Sequence, residues 1–257
     1  MDINTHLTTL AKQLVIDPDS KKKIEVSISH LKENMWGLFQ DRLVEVAVFG
    51  SFDRETFIES DMEADVDILV NFKQKEFQPD TYLKQIRELC NKKYSRSDIY
   101  PDHPTIVIDM EHIKFEIVPS YNYSSDTVKI PAPRTKELKW ISSSPKDFKS
   151  KVKQKDANNK GLILPLIRII KYWNSINGKL FSSYELERLI VNKSYSCSTL
   201  KDYYLSATSS LDELAKTEQQ KKLLIDLKEK HRRIRVMENY KLPEYIEQEL
   251  ETFLPLP

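Results

Sequence analysis

The stretch that decides the fold is residues 49–70, FGSFDRETFIESDMEADVDILV. It begins where an apolar, β-branched run, residues 44–49, predicts a strand that ends at Gly50-Ser51. A second apolar run, residues 65–70, predicts another strand. The chain has only four glycines, so a glycine between these strands indicates a special backbone position.

The second predicted strand carries two carboxylates, Asp65 and Asp67, on one face, because side chains alternate along a strand. Their Cα atoms should lie roughly 6.6 Å apart. On a surface strand such a pair is commonly just solvated, but burying two like charges together is costly. A divalent cation removes that cost. Two Mg²⁺ ions, about 4 Å apart, serve the attacking and leaving oxygens of a phosphoryl transfer, with Mn²⁺ as a substitute.

A third acid, Glu116, lies on one of two further predicted strands, residues 105–110 and 113–118, which a short connection joins as a hairpin. If this strand lies beside the aspartates, Glu116 points toward the same metals and can act as base for an attacking hydroxyl. Gly50 and Ser51, between a strand and a predicted helix, suit phosphate binding through free backbone N–H groups.

The remaining sequence predicts helices around this sheet and an extended linker at 121–140. We therefore expect an α+β fold with a small mixed sheet, divided into residues 1–138 and a helical domain, 139–257, with the active site in the cleft between them. The predicted helices cover residues 17–41, 80–92, 162–175, 183–193, 212–237 and 243–253.

Composition narrows the class of protein. The chain has 257 residues, a net charge of +1 and two cysteines, Cys90 and Cys197, which form no disulfide framework. No apolar run reaches 18 residues, and the N-terminus lacks the pattern of a secretory signal, so we expect a cytoplasmic protein without a membrane partner. The near-neutral charge predicts no broad affinity for nucleic acid, and the oligomeric state stays open.

The order Gly-Ser, Asp-x-Asp, then an acid before Val-Pro resembles the polymerase-β-type nucleotidyltransferase superfamily. Arg54 and Thr56 match its Arg-x-Thr. The resemblance implies a polymerase-β-like core in which Asp65, Asp67 and Glu116 hold two Mg²⁺ ions. Glu116 departs from the aspartate that is usual at the third position.

A second set of residues, 166–174 and 181–187, resembles the branch that contains cyclic GMP–AMP synthase, oligoadenylate synthetase and bacterial cyclic-oligonucleotide synthases. The archaeal CCA-adding enzymes share much of this pattern. The resemblance implies that a lysine and a serine hold the triphosphate and that a tyrosine stacks on the base. The matching residues are Lys171, Ser183 and Tyr184, and we expect the neighbouring Ser182 to bind the nucleotide as well. The alternatives are a solvated helix face for the lysine, a helix cap for the serines and core packing for the tyrosine.

Together these observations predict a Mg²⁺-dependent enzyme that transfers a nucleotide from a nucleoside triphosphate to a 2′- or 3′-hydroxyl and releases pyrophosphate. The expected product is a short or cyclic oligonucleotide second messenger, and the resemblance implies a setting in bacterial antiviral defence. One alternative is a transferase that acts on the 3′ end of tRNA or another RNA, as CCA-adding or toxin-like enzymes do. The other is a catalytically silent nucleotide-binding module, which the glutamate at position 116 suggests.

Overall fold

The computed structural model describes residues 2–58, 64–102, 104–124, 127–132 and 139–257. It divides the chain into two compact units. The sheet unit consists of Asp17–Glu55 and Glu63–Ser150. The helical unit consists of Met1–Ile16, Thr56–Met62 and Lys151–Pro257. The chain therefore passes from one unit to the other more than once.

The sheet unit is built on a mixed sheet. Within the described part of the chain, its strands are β1 (Leu43–Phe49), β2 (Asp65–Phe72), β3 (Asp98–Asp102), β4 (Thr105–Met110), β5 (Ile113–Asn122), β6 (Val128–Pro131) and β7 (Trp140–Ser143). Five of them follow the order β1-β2-β5-β4-β3, and β6 and β7 extend the sheet from β5. β2 and β5 pair in parallel, whereas the other neighbours are antiparallel. The predicted mixed sheet and the β4–β5 hairpin are confirmed.

One face of this sheet forms the core of the unit. Val66 and Ile68 on β2, with Phe115 and Ile117 on β5, are all fully buried. This alternation is what a half-buried strand requires. Two helices, α2 (Pro18–Phe39) and α4 (Pro79–Lys93), pack with each other and against strands of the unit. They match the predicted helices.

The predicted extended linker, residues 121–140, contributes residues to strands of the sheet. Its start continues β5 to Asn122, and residues 128–131 form β6, which pairs with both β5 and β7. Pro131 is the last residue of β6 and pairs with Trp140 of β7. The other predicted linker proline, Pro133, lies outside the described residues.

The helical unit holds the rest of the helices. They are α1 (Ile3–Gln13), most of α5 (Pro145–Asn158), α6 (Ile163–Ile176), α7 (Ser183–Asn192), α8 (Leu200–Thr208), α9 (Glu218–Asn239) and α10 (Pro243–Phe253). α1 packs against α6, α8 and α10. The buried ring of His6 donates to the carbonyl oxygen of Leu254 at 2.8 Å, which joins the first helix to the end of the last.

The two units differ from the expected division into 1–138 and 139–257 in two ways. Residues 1–16 and 56–62 belong to the helical unit, and the later boundary falls at 150/151, inside α5. The remaining short helix, α3 (Gly50–Asp53), follows β1 in the sheet unit. Among the residues that the structure describes, no helix has the length and apolar character needed to cross a membrane.

Candidate active site

Three acidic side chains share one face of the sheet unit. Parallel pairing of β2 and β5 sets Asp67 opposite Glu116 and Asp65 opposite Lys114. Paired residues on neighbouring strands lie about 4.8 Å apart and point to the same side. All four are half-buried, whereas the residues between them are buried in the core. Asp65, Asp67 and Glu116 therefore occupy neighbouring positions on one face, as the sequence predicted.

The turn after β1 approaches one of these carboxylates closely. Gly50 is buried and has φ +69°, a left-handed conformation that favours glycine. A Cβ atom added to Gly50 would lie 1.6 Å from Oδ2 of Asp67 and 2.6 Å from its Cγ. Only a residue without a side chain leaves room for this carboxylate. The structure thus brings Gly50 and Asp67 together, and Ser51 follows as the second residue of α3.

Charged and aromatic contacts fix the surroundings of the turn. The Nζ atom of Lys149 donates to Oδ1 of Asp53 at 2.5 Å, and the guanidinium of Arg54 lies 5.2 Å from the ring centroid of Phe148. Both contacts join α3 and its end to the first turns of α5. On the sheet itself, Lys114 forms an ion pair with Asp109 at 3.3 Å. A cation therefore lies beside the acidic face.

The chemistry of the acidic face fits magnesium. Asp65, Asp67 and Glu116 offer hard carboxylate oxygens, which are the protein ligands that Mg²⁺ prefers alongside substrate phosphates. Within the ranges described above, however, no three His, Cys, Asp or Glu side chains are already arranged as a metal-binding group. The donor set suits the ion, and its binding by these three residues stays a prediction.

In the helical unit, Lys171 of α6 has a buried setting. Its side chain is only 6% exposed, so the alternative of a solvated helix face is wrong. The ammonium donates to the carbonyl oxygen of Thr56 at 2.8 Å and lies 3.4 Å from Oε1 of Glu187. The hydroxyl of Thr56 donates to the same Oε1 atom at 2.8 Å. The role of Lys171 in holding a triphosphate stays a prediction.

The other predicted nucleotide-binding residues lie at the start of α7. Ser182 caps this helix, because its side chain accepts a hydrogen bond from the backbone N–H of Glu185. Ser183 is the first residue of the helix. Tyr184 is 50% exposed, so the alternative of core packing is wrong. Phosphate binding by the serines and base stacking by Tyr184 stay predictions.

The partners of Lys171, Glu187 and Thr56, are not among the predicted site residues. Glu187 is fully buried and has the neighbours Leu186, Ile190 and Val191 on the buried side of α7. An acid at an apolar position of a helix was the available signal, because buried charges are paired in folded proteins. Nothing in the sequence pattern names Thr56, which lies far away along the chain, as the second partner.

A mixed sheet that presents acidic residues beside a Gly-Ser turn, with helices around it, is the fold of polymerase-β-like nucleotidyltransferases. The model of the Second Messenger Oligonucleotide or Dinucleotide Synthetase domain matches residues 1–156. The chain belongs to this family and is a nucleotidyltransferase of the nucleotide second-messenger class. No curated protein sequence matches the chain.

Solved structures agree with the fold. The CD-NTase CdnG of Bradyrhizobium diazoefficiens, solved in complex with GTP, is 12% identical, with 97% of this chain and 93% of that chain covered and a TM-score of 0.75. DncV cyclic AMP–GMP synthase of Vibrio cholerae is 11% identical, with 99% and 88% covered and a TM-score of 0.69. The STING-associated CdnE c-di-GMP synthase of Capnocytophaga granulosa is 18% identical, with 92% and 86% covered and a TM-score of 0.67. At these identities the likeness concerns the fold alone.

Proposed function

We propose that the protein transfers a nucleotidyl group from a nucleoside triphosphate to a 2′- or 3′-hydroxyl with release of pyrophosphate, and that it makes a short or cyclic oligonucleotide second messenger. The observation that carries the proposal is the pairing of Asp67 with Glu116, beside Asp65, on one face of the sheet. Family membership supports the product class.

The three acids have distinct roles in this proposal. Asp65 and Asp67 would hold both Mg²⁺ ions, and Glu116 would hold the catalytic ion near the attacking hydroxyl. When bound, magnesium neutralises charge on the phosphates and on the attacking and leaving oxygens. Glu116 also has the chemistry to accept the proton of the hydroxyl. Gly50, which has no side chain, leaves room for the Asp67 carboxylate beside the turn.

The nucleotide itself is assigned to two further groups of residues. Gly50 and Ser51 would bind phosphate oxygens through the turn after β1. Lys171, Ser182 and Ser183 would hold the triphosphate, and the half-exposed Tyr184 would stack on the base. Most of the rate would come from positioning and from charge neutralisation, as in other phosphoryl transfers.

A small acceptor fits the charge of the protein better than a long RNA does. The net charge is +1, and the basic stretch at 221–235 lies on α9, where ion pairs join Lys221 to Glu218 and Lys230 to Asp226. An RNA-end transferase would need a broad basic surface and would show steep salt dependence. The antiviral setting belongs to the same proposal and rests on the resemblance.

The test incubates the full chain with the four radiolabelled nucleoside triphosphates and Mg²⁺, with and without tRNA. Labelled oligonucleotide and pyrophosphate in the absence of RNA are expected. Label on the RNA alone would show an end-transferase, and no labelled product under any condition would contradict the proposal.

A pair of variants locates the chemistry on the acidic face. Asp67→Asn should reduce the rate at least about 100-fold, because the metal contribution amounts to several kcal/mol. Asp109→Asn is the matched control: it removes an acid on the neighbouring strand that is paired with Lys114 and lies outside the proposed set. Asp109→Asn should keep a rate close to that of the wild type. Full activity of Asp67→Asn would remove the basis of the metal assignment.

A further inference from the structure

The cluster of Lys171, Glu187 and Thr56 is almost completely closed to solvent. Counted over the whole residue, the exposed fractions are 5% for Lys171 and 0% for both Glu187 and Thr56. One carboxylate oxygen of Glu187 accepts from the Thr56 hydroxyl at 2.8 Å and lies 3.4 Å from the lysine nitrogen. The lysine also donates to the Thr56 carbonyl oxygen at 2.8 Å. Two helices of one unit thereby hold the hydroxyl and the backbone carbonyl of a single threonine.

Stability alone does not account for such a pair. Removing two charges from water costs free energy. A protein in which apolar residues of similar size replace a buried ion pair is often as stable as the original or more stable. The other buried residues of α7, Leu186, Ile190 and Val191, are apolar, so Glu187 places a charge on the apolar side of this helix. The charged pair therefore calls for a reason beyond packing.

The position of Thr56 along the chain suggests that reason. It lies five residues after Ser51, and Phe57 and Ile58 beside it are also buried. A lysine stem has many rotamers, and fixing it before a ligand arrives removes an ordering cost that binding would otherwise carry. The cluster fixes the Lys171 stem and the segment that follows the Gly-Ser turn at the same time.

We propose that Glu187 is a positioning residue for nucleotide transfer: its buried carboxylate holds the Lys171 ammonium and the Thr56 segment in the arrangement that binds the triphosphate. This inference rests on the proposed function, since it takes Lys171 as a triphosphate ligand. Glu187 itself need not touch the nucleotide. Its effect should therefore fall on the binding of the triphosphate group more than on the rate of the chemical step.

The test compares four variants of the full chain: Glu187→Gln, Lys171→Met, the double variant and Glu185→Gln. Glutamine keeps an oxygen that can accept from the Thr56 hydroxyl but removes the charge. Glu185→Gln is the matched control, because Glu185 lies on the same helix and pairs with Lys216 at the surface, at 3.1 Å. Each variant is measured for melting temperature, for KM and kcat, and for calorimetric binding of ATP and GTP against AMP and GMP.

Glu187→Gln should lower the melting temperature by roughly 10 °C, because it removes a carboxylate charge 3.4 Å from a buried ammonium. It should raise KM for the triphosphate about tenfold, with a smaller change in kcat and little change in monophosphate binding. The double variant removes the buried charge, so its melting temperature should return toward that of the wild type while its triphosphate affinity stays low. Glu185→Gln should change neither quantity.

Two results would overturn the inference. One is an unchanged triphosphate affinity in Glu187→Gln. The other is a double variant that regains wild-type affinity together with its stability, which would make the cluster purely structural. A wild-type protein that makes no product from any triphosphate would instead contradict the proposed function, and the comparison of triphosphate with monophosphate binding would still decide the role of Glu187.

Discussion

The close approach of Gly50 to Asp67 gives the sharpest prediction. Gly50→Ala places a Cβ atom 1.6 Å from Oδ2 of Asp67, where a carbon and an oxygen in contact need about 3.2 Å. The carboxylate must therefore move by about 1.5 Å, or the turn must shift by as much. The left-handed φ adds about 1–2 kcal/mol for a residue with a side chain, and overpacking adds about 1–3 kcal/mol.

The expected loss of stability in Gly50→Ala is thus about 2–5 kcal/mol, which lowers the melting temperature by about 10 °C at 2–4 °C per kcal/mol. The transfer rate should fall at least about 100-fold, because a displacement of about 1 Å at a reacting centre has that effect. Melting followed by calorimetry and a pyrophosphate-release assay measure the two quantities.

Substitutions at two other glycines separate the effect of the left-handed φ from the effect of the close contact with Asp67. Gly178 also has a left-handed φ, +82°, but no atom lies within 4 Å of its added Cβ. Gly178→Ala should therefore lose only about 1–2 kcal/mol and keep its activity. Gly37, inside α2, has open space and an ordinary φ, so Gly37→Ala should gain about 0.5–1 kcal/mol. Equal stability losses in Gly50→Ala and Gly178→Ala, with activity retained in both, would refute the proposed approach of Gly50 to the carboxylate.

Three further predictions concern stability and reactivity. Burial lowers the pKa of His231 from 6.5 to about 4, so the unfolded chain binds a proton over this range that the folded protein does not. The free energy of unfolding should keep this contribution in full above pH 6.5 and lose about 3 kcal/mol at most as the pH drops to 4. Urea unfolding of His231→Gln should show a weaker pH dependence than that of the wild type. Burial raises the pKa of Cys90 to about 12, so iodoacetamide should modify only the half-buried Cys197 in the folded protein, and intact mass should show a second adduct only after unfolding. Asp156→Ala should cost about 1 kcal/mol in chemical denaturation, because the carboxylate accepts the first two backbone N–H groups of α6, whereas a fully stable variant would show that water replaces it.

The acidic face of the sheet could be predicted from sequence because period-2 alternation fixes which side chains share a face. The buried Val66 and Ile68 and the half-buried Asp65 and Asp67 follow that alternation. Three strands escaped prediction for physical reasons. β7, residues 140–143, has only four residues, and none of them is buried. β3 is an edge strand with mostly exposed residues and a proline at position 101, so its apolar pattern is weak. β6 is four residues long and ends in proline.

The environment of Lys171 could not be predicted in the same way. Helical periodicity locates α6, but a lysine is normally expected at the surface. Its burial depends on a partner 16 residues away on α7 and on a carbonyl 115 residues earlier in the chain. Contacts at such separations leave no periodic trace in one sequence, so the charge pair appears only in three dimensions.

The hydrogen bond between His6 and the Leu254 carbonyl has a consequence for synthesis on the ribosome. α1 leaves the ribosome before the helices on which it packs, and these include α10, near residue 250. The buried face of α1 is therefore covered by α10 only after all the residues between the two helices have been synthesised. The sheet unit ends at residue 150 and can fold earlier. Chaperones that bind exposed apolar helices should accordingly engage residues 3–13 during translation.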